Sequence, residues 1–88
     1  MKAMAGAGAL ISRGQEIPVA YDLVQCPERS RYAAEGDVFG DARELIDVFN
    51  AGPCELLLET GRAVRAVLVA CRLHGAAEVR ITGPLEWN

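Results

Sequence analysis

The chain has 88 residues, of which 51% are apolar and 24% are charged, and a formal net charge of −3. This length allows one domain with a single core, and the composition is typical of a globular protein and not of a disordered segment. The acidic balance argues against a nucleic-acid partner, because phosphate-binding surfaces are usually basic. No apolar run approaches the roughly 20 residues of a membrane-spanning helix, so we expect no membrane partner.

The cysteines Cys26, Cys54 and Cys71 are an odd number, and no Cys-x-x-Cys spacing occurs. Disulfide scaffolds usually have dense, even-numbered cysteines. We therefore predict buried reduced thiols and a cytoplasmic location. The abundance of alanine and glycine is typical of GC-rich bacterial genomes, which favours a bacterial source.

The first residues are rich in alanine and glycine and lack the leucine-rich core of a signal peptide. Residues 1–6 are predicted to be a flexible N-terminal arm, and residues 7–88 a single β-rich domain. The glycines here neither follow a predicted strand nor enter a helix, which argues against a phosphate-binding loop.

Three strands are predicted before the middle of the chain. Apolar side chains alternate over 17–23, which is the period of a half-buried strand. Arg13-Gly14 is predicted to form a two-residue turn, so that Leu10 pairs with Ile17. Residues 31–38 alternate again and form the third strand, with a polar outer face.

A helix is predicted over 41–51. It begins at Asp41, which has the acceptor oxygen that an N-cap needs, and a Gly-Pro pair ends it. One apolar stripe contains Leu45, Ile46 and Phe49. We predict that these three side chains cover apolar surface of the sheet.

Two further strands, 54–59 and 62–73, surround a three-residue loop that ends in glycine, which is a common hairpin connection. In that register Glu55 faces Arg65. The next turn, at His74-Gly75, is predicted to start a last strand. Both registers place the large apolar residues of these strands on one face.

The turn at His74-Gly75 pairs Leu68 with Ile81 and leaves Val67, Val69 and Cys71 on the opposite face of the strand. An antiparallel sheet with one wet face does not usually carry such an apolar row. We therefore name these three residues as the candidate self-association site, covered either by the helix or by a second subunit.

The order β-β-β-α-β-β-β predicts a mainly β fold: a small six-stranded antiparallel barrel or coiled sheet with one amphipathic helix at about 41–51. Three strands followed by a helix and further strands resembles the OB-fold, in which aromatic residues of the second and third strands stack bases. Tyr21 and Tyr32 lie on those strands, but both alternate in phase with the apolar core positions. We predict that they are core aromatics.

The sequence contains few residues in patterns typical of catalytic, metal-binding or nucleotide-binding sites. His74 is the only histidine and lies in a predicted turn, whereas a hydrolytic triad needs a nucleophile, a base and an orienting group. The chain has too few His and Cys residues at metal-ligand spacing for a zinc site, and no nucleotide-binding glycine motif occurs. We expect no metal and no cofactor.

The function favoured by these observations is a non-catalytic binding or assembly module that forms a homo-oligomer. The second interpretation is an OB-like or small-ligand-binding barrel, whose ligand the sequence does not identify. The third is a small enzyme with an unrecognised site. A flat apolar patch favours the first interpretation, and a cleft with converging arginines or carboxylates favours the other two.

Overall fold

Six antiparallel strands close into a barrel, which confirms the predicted fold. The computed structural model describes residues 1–72 and 74–87. The elements are β1 (Ala3–Ser12), β2 (Gln15–Gln25), β3 (Ala34–Phe39), α1 (Ala42–Ala51), β4 (Cys54–Leu57), β5 (Ala63–Arg72) and β6 (Ala76–Ile81). The order of the strands around the barrel is β1-β2-β3-β6-β5-β4.

The barrel consists of two three-stranded meanders that α1 connects. The first strands of the two meanders, β1 and β4, pair with each other, and so do the last strands, β3 and β6. Closure in this way removes most of the open sheet edge that would otherwise invite aggregation. The β1–β4 contact is short, since β4 pairs only with Ala9–Ile11 of β1.

The β1–β2 hairpin has the register that its turn predicts. Arg13 and Gly14 have φ angles of 51° and 77°, the left-handed values that both central residues of a type I′ turn adopt. Leu10 therefore pairs with Ile17. Both side chains belong to the buried core of the barrel.

Strand β1 starts at Ala3 and pairs with β2 along its whole length. Most of residues 1–6, expected to be a flexible arm, therefore belongs to the barrel. The glycines of this strand make room for the core: a Cβ at Gly6 would lie 2.7 Å from the hydroxyl of Tyr21, and a Cβ at Gly8 would lie 2.0 Å from a β4 carbonyl oxygen. Alternating glycine and alanine give no hydrophobic period, so the sequence indicated only the end of this strand beside the Arg13-Gly14 turn, where Leu10 was expected to pair with Ile17.

Helix α1 lies at the end of the barrel where β3 ends and β4 begins, and it packs mainly against β5. Asp41 is the N-cap, as predicted, and its carboxylate accepts a backbone N–H of the first turn. The buried side chains are Leu45 and Val48, whereas Ile46 is 43% exposed and Phe49 40% exposed. Of the three side chains predicted to cover the sheet, only Leu45 is buried. Apolar residues occupy a wide arc of the helix surface, and the barrel contacts the part of that arc that carries Leu45 and Val48.

The β4–β5 hairpin pairs Glu55 with Arg65, as predicted. Its strands are shorter than the predicted ranges, since β4 ends at Leu57. The connection contains two backbone hydrogen bonds, one from the Leu58 N–H to the Arg62 carbonyl and one from the Gly61 N–H to the Leu58 carbonyl.

The β5–β6 register is offset from the predicted one by two residues at Leu68, which pairs with Val79 and not with Ile81. The offset arises in two steps: the strands leave the turn with Arg72 opposite Ala76, one residue from the predicted register, and a β-bulge between Leu68 and Ala70 adds the second residue. All three apolar side chains nevertheless face the core, as expected. The predicted end of this strand, Leu73, lies outside the described residues.

Candidate binding surfaces

The three residues of the candidate self-association site do not form one outer row. Val67 and Val69 lie on the outer side of β5, half-buried and 40% exposed respectively. After the bulge, Cys71 pairs with Ala77, which is completely buried, so Cys71 shares the inner face. Its thiol donates a 3.6 Å hydrogen bond to the Leu45 carbonyl. The helix thus covers Cys71 but leaves Val69 exposed.

Three large apolar side chains on α1 and β5 are exposed instead: Ile46, Phe49 and Val69. Asp47 and Val48 line the cleft between the helix and the β1–β2 hairpin. Ile46 and Phe49 lie on the other flank, since successive helical residues are separated by about 100°. Val69 belongs to β5, the strand against which α1 packs. We refer to Ile46, Phe49 and Val69 as the apolar patch.

A groove of about 850 Å³ lies over the outer surface of β1, β4 and β5. It contains one cross-strand ladder, in which Ile11 pairs with Glu55 and Glu55 pairs with Arg65. Cross-strand partners share a face of the sheet, so these side chains line the groove together. Arg13 from the β1–β2 turn and Arg31 from the loop before β3 extend the lining. We call this surface the arginine groove.

The arginine groove carries positive charge in a chain that is acidic overall. Its lining includes three arginines and a single carboxylate, that of Glu55, which gives a formal charge of +2. Across the part of the chain that the structure describes, ion pairs involve Arg62 and Arg72. None of these ion pairs includes an arginine of the groove, so within residues 1–72 and 74–87 the exposed guanidinium groups of Arg13, Arg31 and Arg65 have no carboxylate partner within 4.0 Å.

The two tyrosines occupy different environments. Tyr21 is 5% exposed and belongs to the core, as predicted. Tyr32 precedes β3, is half-buried, and lines the arginine groove beside Arg31. The base-stacking surface of an OB-fold is therefore not assembled on β2 and β3, and the six-stranded closure also differs from the five strands of that fold.

The cysteines are free thiols, but only Cys54 is buried, while Cys26 and Cys71 are half-buried. Burial, with a smaller contribution from the charge of Glu55, raises the pKa of Cys54 from its ordinary value of 9.0 to about 11. A thiol with so high a pKa is a poor nucleophile near neutral pH. His74 is exposed in the β5–β6 turn, as expected.

Within 1–72 and 74–87, no group of three or more His, Cys, Asp or Glu side chains is arranged to hold a metal ion. No helix in the same ranges combines the length and the apolar character needed to cross a bilayer.

Comparison with known proteins gives no relative of this chain. No protein-family model matches it, and no significant match is found among curated proteins or solved structures.

Proposed function

We propose that this protein is a non-catalytic binding module that self-associates through the apolar patch. The observation that carries the proposal is the exposure of Ile46, Phe49 and Val69, which are 43%, 40% and 40% exposed. Large apolar side chains that stay exposed on two elements packed against each other tend to mark an interface. A two-fold arrangement is the commonest way to bury such a surface, because the same patch then meets itself.

The apolar patch is small, and this sets the expected strength of association. Stable protein interfaces bury about 800 Å² per partner, whereas the patch contains three partly exposed side chains. We therefore expect a dimer that dissociates on dilution.

Three free thiols are compatible with the cytoplasm, which keeps cysteines reduced, and we propose a cytoplasmic location.

Static light scattering of undiluted samples over a concentration series tests the proposal. At millimolar concentration the wild type is expected to approach twice the monomer mass of 9.4 kDa. Val69→Asp places a charge in the patch, which should reduce the mass to that of the monomer because burying an unpaired charge is unfavourable. Ile46→Lys is a second variant, at a helix position where a long polar side chain does not disturb a strand.

A matched control uses Val24, which lies on the outer side of β2 and is 38% exposed, close to the exposure of Val69. Val24→Asp changes the charge by the same amount but lies outside the patch, so its mass should equal that of the wild type. A wild type that remains monomeric at millimolar concentration contradicts the proposal. Equal effects of Val24→Asp and Val69→Asp contradict the assignment of the surface.

A small-ligand-binding barrel is a second candidate, and the arginine groove favours it. Ligand pockets usually measure about 300–1,000 Å³ and combine an apolar lining with a few polar groups. The groove, at about 850 Å³, falls in this range. The two proposals concern different surfaces, so each is tested separately.

A further inference from the structure

We propose that the arginine groove is a binding site for a small organic anion that carries two or more charges on phosphate or carboxylate groups. The site is independent of self-association, because Ile46, Phe49 and Val69 do not line it. The proposal rests on three features: the unpaired arginines, their placement around a cross-strand ladder, and the mixed apolar and aromatic lining.

The guanidinium groups define the chemistry of the ligand. Arginine presents a planar fork of N–H donors that fits carboxylate and phosphate oxygens in pairs. Arg13, Arg31 and Arg65 come from three separate parts of the chain and line the same groove. Their formal charge, after subtraction of Glu55, is +2, so a ligand with at least two negative charges is electrostatically complementary.

The position of Glu55 supports a role for Arg65 in binding. The two residues are direct cross-strand partners on β4 and β5, where opposite charges commonly form an ion pair. The ion pairs of the described residues do not include this pair. Arg65 is therefore available to a ligand.

The rest of the lining favours an organic ligand over an inorganic ion. Ile11 and Val67 contribute apolar surface, and Tyr32 contributes an aromatic ring next to Arg31. Apolar and aromatic side chains supply most of the contact area in ordinary ligand sites, while a few charged groups fix orientation. We expect a planar or apolar body to contact Tyr32 and Val67 while its anionic groups contact the arginines.

Two-dimensional ¹H–¹⁵N NMR titrations test the proposal, with ADP, citrate and inorganic pyrophosphate as probes. ADP has both phosphates and a planar ring, citrate has carboxylates, and pyrophosphate has no organic body. We expect saturable shifts confined to amides near 11–13, 31–32, 54–55 and 65–67. A tighter response to ADP than to citrate identifies phosphate as the preferred group, and the reverse order identifies carboxylate; pyrophosphate should bind more weakly than the better of the two.

The control for charge is Arg43, which is exposed on α1 and does not line the groove. Arg65→Gln should weaken binding of the better probe by about tenfold or more, as expected for loss of a charge-assisted hydrogen bond. Arg43→Gln makes the same change in net charge and should leave the dissociation constant unchanged. Because the Arg65 side chain is exposed and unpaired, both variants should melt at the wild-type temperature.

Three outcomes contradict the proposal. The first is the absence of saturable shifts with every probe at 10 mM. The second is an equal loss of binding in Arg43→Gln and Arg65→Gln, which indicates non-specific attraction. The third is a ten-residue oligothymidylate that shifts the same amides and binds more tightly than any of the small anions, which assigns the groove to single-stranded nucleic acid.

Discussion

The Tyr21 hydroxyl accepts a 3.0 Å hydrogen bond from the backbone N–H of Glu59. This contact connects β2 to the β4–β5 connection across β1. The Glu59 carboxylate in turn accepts a 3.1 Å hydrogen bond from the Ala7 N–H. The two hydrogen bonds hold the β4–β5 connection against β1 and β2, next to the place where the direct pairing of β1 with β4 is short.

Tyr21→Phe should lower the free energy of unfolding by about 1 kcal/mol, the usual net value of a hydrogen bond. The substitution keeps the ring in the core and removes only the acceptor for the Glu59 N–H. Tyr32→Phe is the matched control, because its hydroxyl has no hydrogen bond within the described residues. Urea unfolding measures both values, and equal losses in the two variants contradict this role for Tyr21.

Gly8→Ala should destabilise the barrel by at least about 2 kcal/mol, because overpacking against fixed atoms forces backbone movement. The new Cβ would lie 2.0 Å from the Leu57 carbonyl oxygen, which belongs to the β1–β4 pairing. Gly6→Ala meets the end of the Tyr21 side chain at 2.7 Å, and a side chain yields more easily than a backbone. We therefore expect Gly6→Ala to lower the free energy of unfolding less than Gly8→Ala does. A larger loss for Gly6→Ala in urea unfolding contradicts this explanation of the two glycines.

Leu45→Ala should cost about 2–5 kcal/mol, as substitutions at fully buried leucines do. Phe49→Ala should cost about 1–2 kcal/mol, because two fifths of this side chain is exposed before the change and less apolar surface is lost from the core. Urea unfolding at low protein concentration, where dimers dissociate, compares the two. A loss for Phe49→Ala that exceeds that for Leu45→Ala contradicts the observed orientation of α1.

Cys54 predicts a specific dependence of stability on pH. Its pKa is raised by burial to about 11 in the folded protein, from an ordinary value of 9.0. Above pH 9 the unfolded chain loses this proton while the folded chain keeps it, so folding stability is lost between about pH 9 and pH 11. Over this interval the unfolding free energy of the wild type should therefore fall relative to that of Cys54→Ala. A constant difference from pH 8 to pH 11 contradicts the prediction.

The sequence predicted the elements whose patterns are local. The turn at Arg13-Gly14 and the register of Leu10 with Ile17 follow from two-residue turn geometry alone. The pairing of Glu55 with Arg65 follows in the same way from a short loop. In both cases the turn fixes which residues are opposite each other, whatever the rest of the fold does.

The errors arose where a distant part of the chain decides the outcome. Val69 forms a bulge, and no residue type there signals one, so the inward turn of Cys71 was missed. The exposure of Phe49 depends on which side of α1 meets the barrel, and a helix with a broad apolar arc does not determine this by itself. The arginine groove was missed because Arg13, Arg31 and Arg65 are distant in sequence and converge only when the barrel is closed.

The most direct test of the proposed function is an isotope-filtered NOE experiment on a mixture of ¹³C-labelled and unlabelled protein at millimolar concentration. Only contacts between different copies give a signal in this experiment. The apolar patch predicts intermolecular NOEs among the side chains of Ile46, Phe49 and Val69, and none to Val24 on the control surface. Intermolecular NOEs from Val24 without any from the patch, or none at all at this concentration, contradict self-association through the patch.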